Sequence, residues 1–353
     1  MTALLQDRGV DAAFVDLSDV IHFNLSKGLD ESFYRKLAIA LAEEVYACGD
    51  KVPVITGYFG NVPGGLLNEI GRGYTDLCAA LVAVGIKASE LQVWKEVDGI
   101  FTADPRKVPT ARLLPAVTPS EAAELTFYGS EVIHPFTMEQ VIRERIPIRI
   151  KNVMNPRNSG TVIFPDVIEE INPRNPLHDP RRFRVRSSSN LSQHARPKRP
   201  TAVTIKHHIV VMNVHSRRKT RSHGFLAGIF ATLDKWHLAR IHGAAPEVTL
   251  FSGGGVEELK IQDEDLRGAV EDLEEYGSVD LVPDMAIVSL VGKQLKNMVG
   301  ISGKFFSTLG ENNINIEMIS QGASEINISC VIEKREADRA LNVVHTNLFT
   351  FLQ

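Results

Sequence analysis

The chain has 353 residues, 44% of them apolar, with 39 Lys and Arg against 43 Asp and Glu for a formal net charge of -4. That length accommodates two or three domains with a substantial core, and the weak negative charge makes neither nucleic acid nor a membrane surface a default partner. No apolar run is long enough to span a bilayer, and the N-terminal "MTALLQDRGVDAAFVDLSD" lacks a basic region followed by a long apolar core, as a signal peptide would have.

Residues 1 to 164 read as alternating strands and helices. "AAFVDLS" (12–18) is a buried strand, "DESFYRKLAIALAEEVYACG" has helical periodicity, and "KVPVITGYFG" is a strand ending in glycine. A helix from Asp76 to about Ile86, a short strand at Leu91–Trp94 and the turn "EVDGIFTADPR" follow. "TPSEAAELTFYG" begins with Thr118 before Pro119 and Glu121, the capping-box pattern. "IPIRIKNV" is a further strand, and strands alternating with helices argue for a parallel sheet covered on both faces. The three cysteines, Cys48, Cys78 and Cys330, lack metal-ligand spacing and read as buried, reduced thiols of a cytoplasmic protein.

Residues 165–202 form a linker, rich in Pro, Ser and Arg between Asn172 and Pro200. Its arginines suit acidic lipids or nucleic acid, but a solvated tether explains them better. Beyond it the chain repeats itself, over 203–282 and 283–353. Gly224-Phe225 with Phe230-Ala231-Thr232-Leu233 parallels Gly303-Lys304 with Phe306-Ser307-Thr308-Leu309, and "GAAPEVTL" parallels "GASEINIS". Two small βαββ units make either a tandem module or one pseudo-dimeric sheet.

The chemistry concentrates in two places. In "GRGYTD", Gly71 and Gly73 allow close backbone approach, Arg72 suits a phosphate or carboxylate, and Asp76 stands at the start of a helix with free N–H groups. An ordinary strand-to-helix connection capped by Asp76 fits these six residues equally well. The second place, "WKEVDGIFTADPRKVP", gathers Lys95, Glu96, Asp98, Asp104, Arg106 and Lys107 around Gly99. Asp98-Gly99 and Asp104-Pro105 make successive turns about Ile100-Phe101, an arrangement able to wall an adenine ring while its charges face phosphates.

The stretch from "GRGYTDLCAALVAVGI" through "WKEVDGIFTADPRKVP" and "ELTFYGSEVIHP" to "IPIRIKNVMNP" resembles the aspartate kinase family, fungal branch, and the two repeats resemble that family's tandem ACT domains. The resemblance implies a partial amino-acid kinase domain of α/β class followed by two ACT repeats, and transfer of the γ-phosphoryl group of ATP, with Mg²⁺, to the side-chain carboxylate of L-aspartate, the first step toward homoserine, threonine and methionine. Carried over by position, it places phosphates and the reacting carboxylate near Gly71, Arg72, Gly73, Thr75 and Asp76, with Arg72 and Asp76 catalytic. It places the nucleotide at Asp98, Gly99, Asp104 and Arg106. A carboxylate is already a nucleophile at neutral pH, so catalysis would rest on positioning two anions and neutralising the charge between them. His134, before Pro135, reads as a structural hydrogen-bonding histidine. The family's opening Lys-Phe-Gly-Gly turn and its later Ser-Gly-Glu element do not occur in this chain. Two expectations follow: a misassigned start, or a short product with little kinase activity, serving as an ACT-containing regulatory or assembly subunit of a full-length kinase.

For the ACT pair the resemblance implies an amino-acid effector, held by Ser222 and Phe225 of the first repeat and by Asn313, Asn315, Ser320 and Gln321 of the second, and a homo-oligomer assembled through these domains. Ile241 stands where the family has an aspartate, and Ala245 and Pro246 where it has a Thr-Ser pair. Leaving an effector ammonium unpaired would cost roughly 2–5 kcal/mol, so threonine control is expected to be weak or absent. A feedback-relaxed paralogue of this kind would suit supply of a specialised-metabolite pathway.

Overall fold

In the computed structural model the described residues are 1–23, 29–60, 62, 65, 66, 70, 73–127, 133, 135–164, 199–216, 224–236, 238, 248–253, 263–321 and 326–350. The chain divides into two compact units. The first takes in Met1–Ile100, Leu113–Thr126 and Glu131–Arg196, and the second Phe101–Arg112, Phe127–Ser130 and Pro197–Gln353.

The first unit begins with helix α1 (Thr2–Asp7) and strand β1 (Ala12–Val15), which pairs in parallel with β2 (Val52–Ile55). Between the two strands runs α2 (Glu31–Tyr46), where Phe33, Leu37, Ala38 and Leu41 recur at helical spacing and are buried. Its first turn is closed by the Asp30 carboxylate, which accepts the Phe33 N–H at 2.8 Å. Helix α3 (Tyr74–Gly85) lies against α2, and Leu77, Cys78 and Leu81 join Val15, Leu17, Leu37, Leu41 and Phe59 in one core cluster.

A second sheet contains β3 (Leu91–Lys95), β4 (Ala116–Val117), β5 (Ile148–Asn152) and β6 (Thr161–Ile163), in the order β3-β5-β6-β4. Helices α4 (Pro119–Phe127) and α5 (Pro135–Arg143) complete the unit, with α5 packed on α3 and β5. The β3/β5 and β4/β6 pairs are parallel, as the alternating pattern requires, but β5 and β6 are antiparallel. Residues 153–160 are too few for a crossover, which needs a dozen or more, so the chain can only fold back as a hairpin.

The second unit is built on one five-stranded sheet, to which β7 (Ala202–Ser216), β8 (Val248–Gly253), β9 (Gly277–Val291), β10 (Met318–Ser320) and β11 (Asn327–Glu333) contribute in the order β10-β11-β9-β7-β8. Of the two arrangements the repeat allowed, this is the continuous sheet. The long strands β7 and β9 serve both halves: Ala202–Lys206 pair with 287–291, and Ile209–Ser216 with 277–285, across a bulge at His207-His208. His208 and the opposing Asp284 take positive φ, 59° and 57°, where the register shifts. Helices α6 (Phe225–Lys235) and α7 (Asp263–Leu273) cover one half, and α8 (Ile301–Glu311) and α9 (Ala337–His345) the other. All sheet pairings in this unit are antiparallel. Of the three cysteines, Cys78 and Cys330 are buried, and burial pushes each thiol up to about 12. Cys48 is only half-buried.

Candidate functional site

In the first unit the chemistry gathers where β3 ends and α3 begins. Gly73 caps α3 in the left-handed conformation, φ 90°, and the first helical hydrogen bond runs from Leu77 N–H to Gly73 O. The N–H groups of Tyr74, Thr75 and Asp76 therefore have no partner within the helix. Thr75 is exposed, and its methyl group lies so close to Gly57 that a Cβ there would come within 2.5 Å of it. Asp76, one residue on, meets Lys95 at 3.5 Å, each side chain one-third exposed. Lys95 is the last residue of β3, at the C-terminal end of a parallel strand, where open α/β sheets place their ligands. The ion pair at the other end of β3, Glu90 with Arg149 at 2.8 Å, ties β3 to β5. Burial raises the Glu90 carboxyl, but hydrogen bonds from Arg149 and Gln92 outweigh it and hold the group below the usual carboxylate range.

Three residues beyond Lys95, the half-buried Asp98 accepts from Asn152 Nδ2 at 3.0 Å and Asn155 Nδ2 at 3.3 Å, both on its Oδ1. Gly99 follows at φ 142°, and a Cβ there would stand 2.4 Å from Thr161 Oγ1, so both backbone and space demand glycine. Ile100 does not wall a nucleotide base as the sequence suggested. It is 3% exposed, its N–H donates to Thr161 Oγ1 at 2.8 Å, and its carbonyl accepts the Leu114 N–H at 2.8 Å. Its β-branched side chain belongs to the core.

Asp104 and Arg106 lie in the second unit, on the segment Phe101–Arg112. The Asp104 carboxylate accepts the Arg106 backbone N–H at 2.9 Å and grips its guanidinium with both oxygens, Nε at 3.1 Å and Nη2 at 3.0 Å. Burial raises the Asp104 carboxyl, yet the Arg106 bonds and the nearby Lys107 hold it below its ordinary range. The Arg106 side chain is 88% exposed, so its fixed guanidinium keeps an open face for an anion. Gly71, Arg72 and His134 lie outside the described residues.

Of the effector residues, Phe225 packs with Met212, Val214, Ile229 and Leu233 under α6 and α7. Asn313 and Asn315 flank the buried Ile314, which belongs to the separate cluster under α8 and α9. Asn315 donates to Glu317 at 2.7 Å, Ser302 donates to Gln321 at 2.9 Å, and Ser320 sits on β10 opposite Ser329. The second-repeat residues thus share one edge of the sheet, and Phe225 stands with a different cluster. Ser222, Ile241, Ala245 and Pro246 lie outside the described residues. Among the described residues no three His, Cys, Asp or Glu side chains come together as metal ligands. A Mg²⁺ ion arriving with a nucleotide keeps several waters and the phosphate oxygens as ligands and needs only one or two carboxylates from a protein. Among the described residues no helix is long and apolar enough to cross a membrane.

The amino acid kinase family model matches residues 1–152, and an ACT domain model matches 288–348. The aspartokinase of Schizosaccharomyces pombe is 56% identical over 349 residues, 99% of this chain and 66% of the relative. An aspartate kinase of Gibberella fujikuroi is 48% identical over 358 residues, 99% of this chain and 68% of the relative. The chain belongs to the aspartokinase family. It spans just under two thirds of the Schizosaccharomyces pombe aspartokinase. The crystal structure of Escherichia coli aspartokinase III in complex with aspartate and ADP superposes with a TM-score of 0.74 at 25% identity, covering 99% of this chain and 72% of that one. The α/β aspartokinase architecture expected from the sequence, a parallel-stranded kinase domain followed by ACT structure, is therefore borne out. Sequence reasoning gathered Lys95 with the charged turn around Gly99 but gave it no binding role, and it did not find Asn152 or Asn155. The signal for Lys95 was its place as the last residue of an alternating strand, whereas the asparagines reach Asp98 only through the β3/β5 pairing.

Proposed function

We propose that the chain phosphorylates the side-chain carboxylate of L-aspartate with ATP to give 4-phospho-L-aspartate, in the cytoplasm and as a homo-oligomer joined through its ACT repeats. The Asp76–Lys95 pair at the end of β3, beside the open first turn of α3, is the observation that carries this reading. Two anions must approach for a carboxylate to attack a phosphoryl group. Lys95 supplies a cation, and the N–H groups of Tyr74, Thr75 and Asp76 supply fixed dipoles for the charge between them. Gly71, Gly73 and Arg72 would complete the phosphate loop, with Arg72 and Asp76 in the catalytic roles, while Asp98, Gly99, Asp104 and Arg106 would hold the nucleotide. Bound Mg²⁺ would neutralise part of the phosphate charge. The complex of Escherichia coli aspartokinase III with aspartate and ADP supports this choice of substrates.

The deciding measurement is ADP release from Mg·ATP with and without L-aspartate. Aspartate-dependent release that is abolished in Lys95→Met, with the variant still folded, is the expected result. ATP turnover indifferent to aspartate, or none from folded protein, overturns it.

The same reading extends to control of activity. Ile241, Ala245 and Pro246 offer an effector no carboxylate and no hydroxyl, so threonine inhibition is weak or absent, which suits a paralogue supplying a specialised pathway. A threonine titration giving full inhibition at micromolar to millimolar concentration would contradict this.

A further inference from the structure

His345, the last residue of α9, is 0% exposed and takes no part in the chemistry above. Its Nε2 lies 2.9 Å from Thr102 Oγ1 and its Nδ1 3.2 Å from Thr110 Oγ1. Thr102 Oγ1 already accepts the Arg112 N–H at 2.9 Å, which leaves its own proton for Nε2. In the tautomer with its proton on Nδ1, the ring accepts the Thr102 proton and donates to Thr110. Burial and the Arg112 charge favour this neutral ring, holding the imidazole pKa below its ordinary value. The ring also stacks on Phe349 at 4.9 Å between centroids, and the Phe349 carbonyl accepts from the Arg112 guanidinium at 3.0 Å.

Both threonines belong to one short segment, and Asp104 and Arg106 stand between them. The rest of the segment is fixed to the same helix. Ala103 and Val108 share a core with Ala340, Leu341 and Val344, Asn342 Nδ2 donates to the Lys107 carbonyl at 3.1 Å, and Lys107 Nζ to Asp338 at 2.7 Å. Packing alone would be served by a leucine at 345. An apolar side chain would not pin both ends of the turn with directional bonds.

We propose that His345 is a positioning residue for nucleotide binding: by bridging Thr102 and Thr110 it fixes the turn that presents Asp104 and Arg106 to the nucleotide. The inference rests on the reading that those two residues hold the nucleotide.

The test is calorimetric titration of the chain with Mg·ADP, comparing the unsubstituted protein with His345→Leu and His345→Gln. Leucine keeps the bulk and removes both bonds, whereas the glutamine amide can again accept the Thr102 proton. Losing one or two neutral hydrogen bonds should raise Kd about tenfold in His345→Leu at unchanged stoichiometry, and His345→Gln should recover most of it. A purely structural role would lower the binding-competent fraction and leave Kd unaltered, and that outcome overturns the proposal. Should His345→Leu fail to fold, Thr110→Val removes one end of the bridge and should shift Kd severalfold in the same direction; an unshifted Kd there also overturns it. If the unsubstituted chain binds no Mg·ADP, the nucleotide reading fails and takes this inference with it. Normal binding together with an unmoved His345→Leu sinks only the role of His345.

Discussion

Thr161 shows how much of the site hangs on one hydroxyl. It is 0% exposed, accepts the Ile100 N–H at 2.8 Å and donates to the Leu114 carbonyl at 2.6 Å, so it holds the exit from the Asp98-Gly99 turn against the chain returning after residue 112. Thr161→Val preserves the shape but strands both groups in the interior. It should cost about 1–3 kcal/mol, read as a lower urea midpoint at unchanged slope, with Thr161→Ser recovering most of the loss. A valine variant as stable as the parent would show that the hydroxyl is dispensable. Local chemistry made the turn itself legible, since Asp-Gly is a turn signal whatever surrounds it. Thr161 and the asparagines on Asp98 were not legible, because strand pairing, not sequence proximity, brings them there.

At the level of elements, the capping box at the start of α4 is the best case of a feature readable in advance. Thr118 N–H and Oγ1 donate to the Glu121 carboxylate at 3.0 and 2.9 Å, and the Glu121 N–H returns to Thr118 Oγ1 at 3.3 Å. Thr118→Ala should destabilise the protein by about 1 kcal/mol and Thr118→Ser by much less, measured as shifts in thermal midpoint; equal stability of all three would remove the cap from the account. Strand identity was likewise legible at β1, β2, β3 and β5, where short stretches with apolar residues are bounded by turn residues. Strand direction at β5/β6 is carried by the short 153–160 connection and not by periodicity, which reports which face is buried and says nothing of the partner. The same gap hid the destination of residues 101–112. Ala103 and Val108 are ordinary core residues by pattern, and only the structure shows that the core they enter is the one under α8 and α9.

Across the whole molecule, the groups described in each unit give it its own response to acid. Among the described residues, the histidines whose pKa is held low are His207 and His345, both in the second unit. Burial is the main cause in each, joined by Lys107 at His207, where Asp338 opposes it, and by Arg112 at His345. A histidine depressed in the folded state is protonated first in the unfolded chain, near its ordinary value of about 6.5. The unfolded state then binds more protons, so stability is full above that pH and falls as the solution is acidified through it. The carboxylates held low, Asp16 and Glu90 in the first unit and Asp104 and Asp272 in the second, begin to lose stability only near pH 4, where their unfolded forms protonate. The two tryptophans separate the units, Trp94 on β3 and Trp236 after α6. In Trp94→Phe, where Trp236 reports, the denaturant midpoint should drop between pH 7.5 and 5.5. In Trp236→Phe, where Trp94 reports, it should hold steady over the same range. Adding His345→Leu to the first variant should shrink the drop and leave the share due to His207. A Trp236 midpoint that is flat across this window would mean that neither ring is kept neutral by its surroundings.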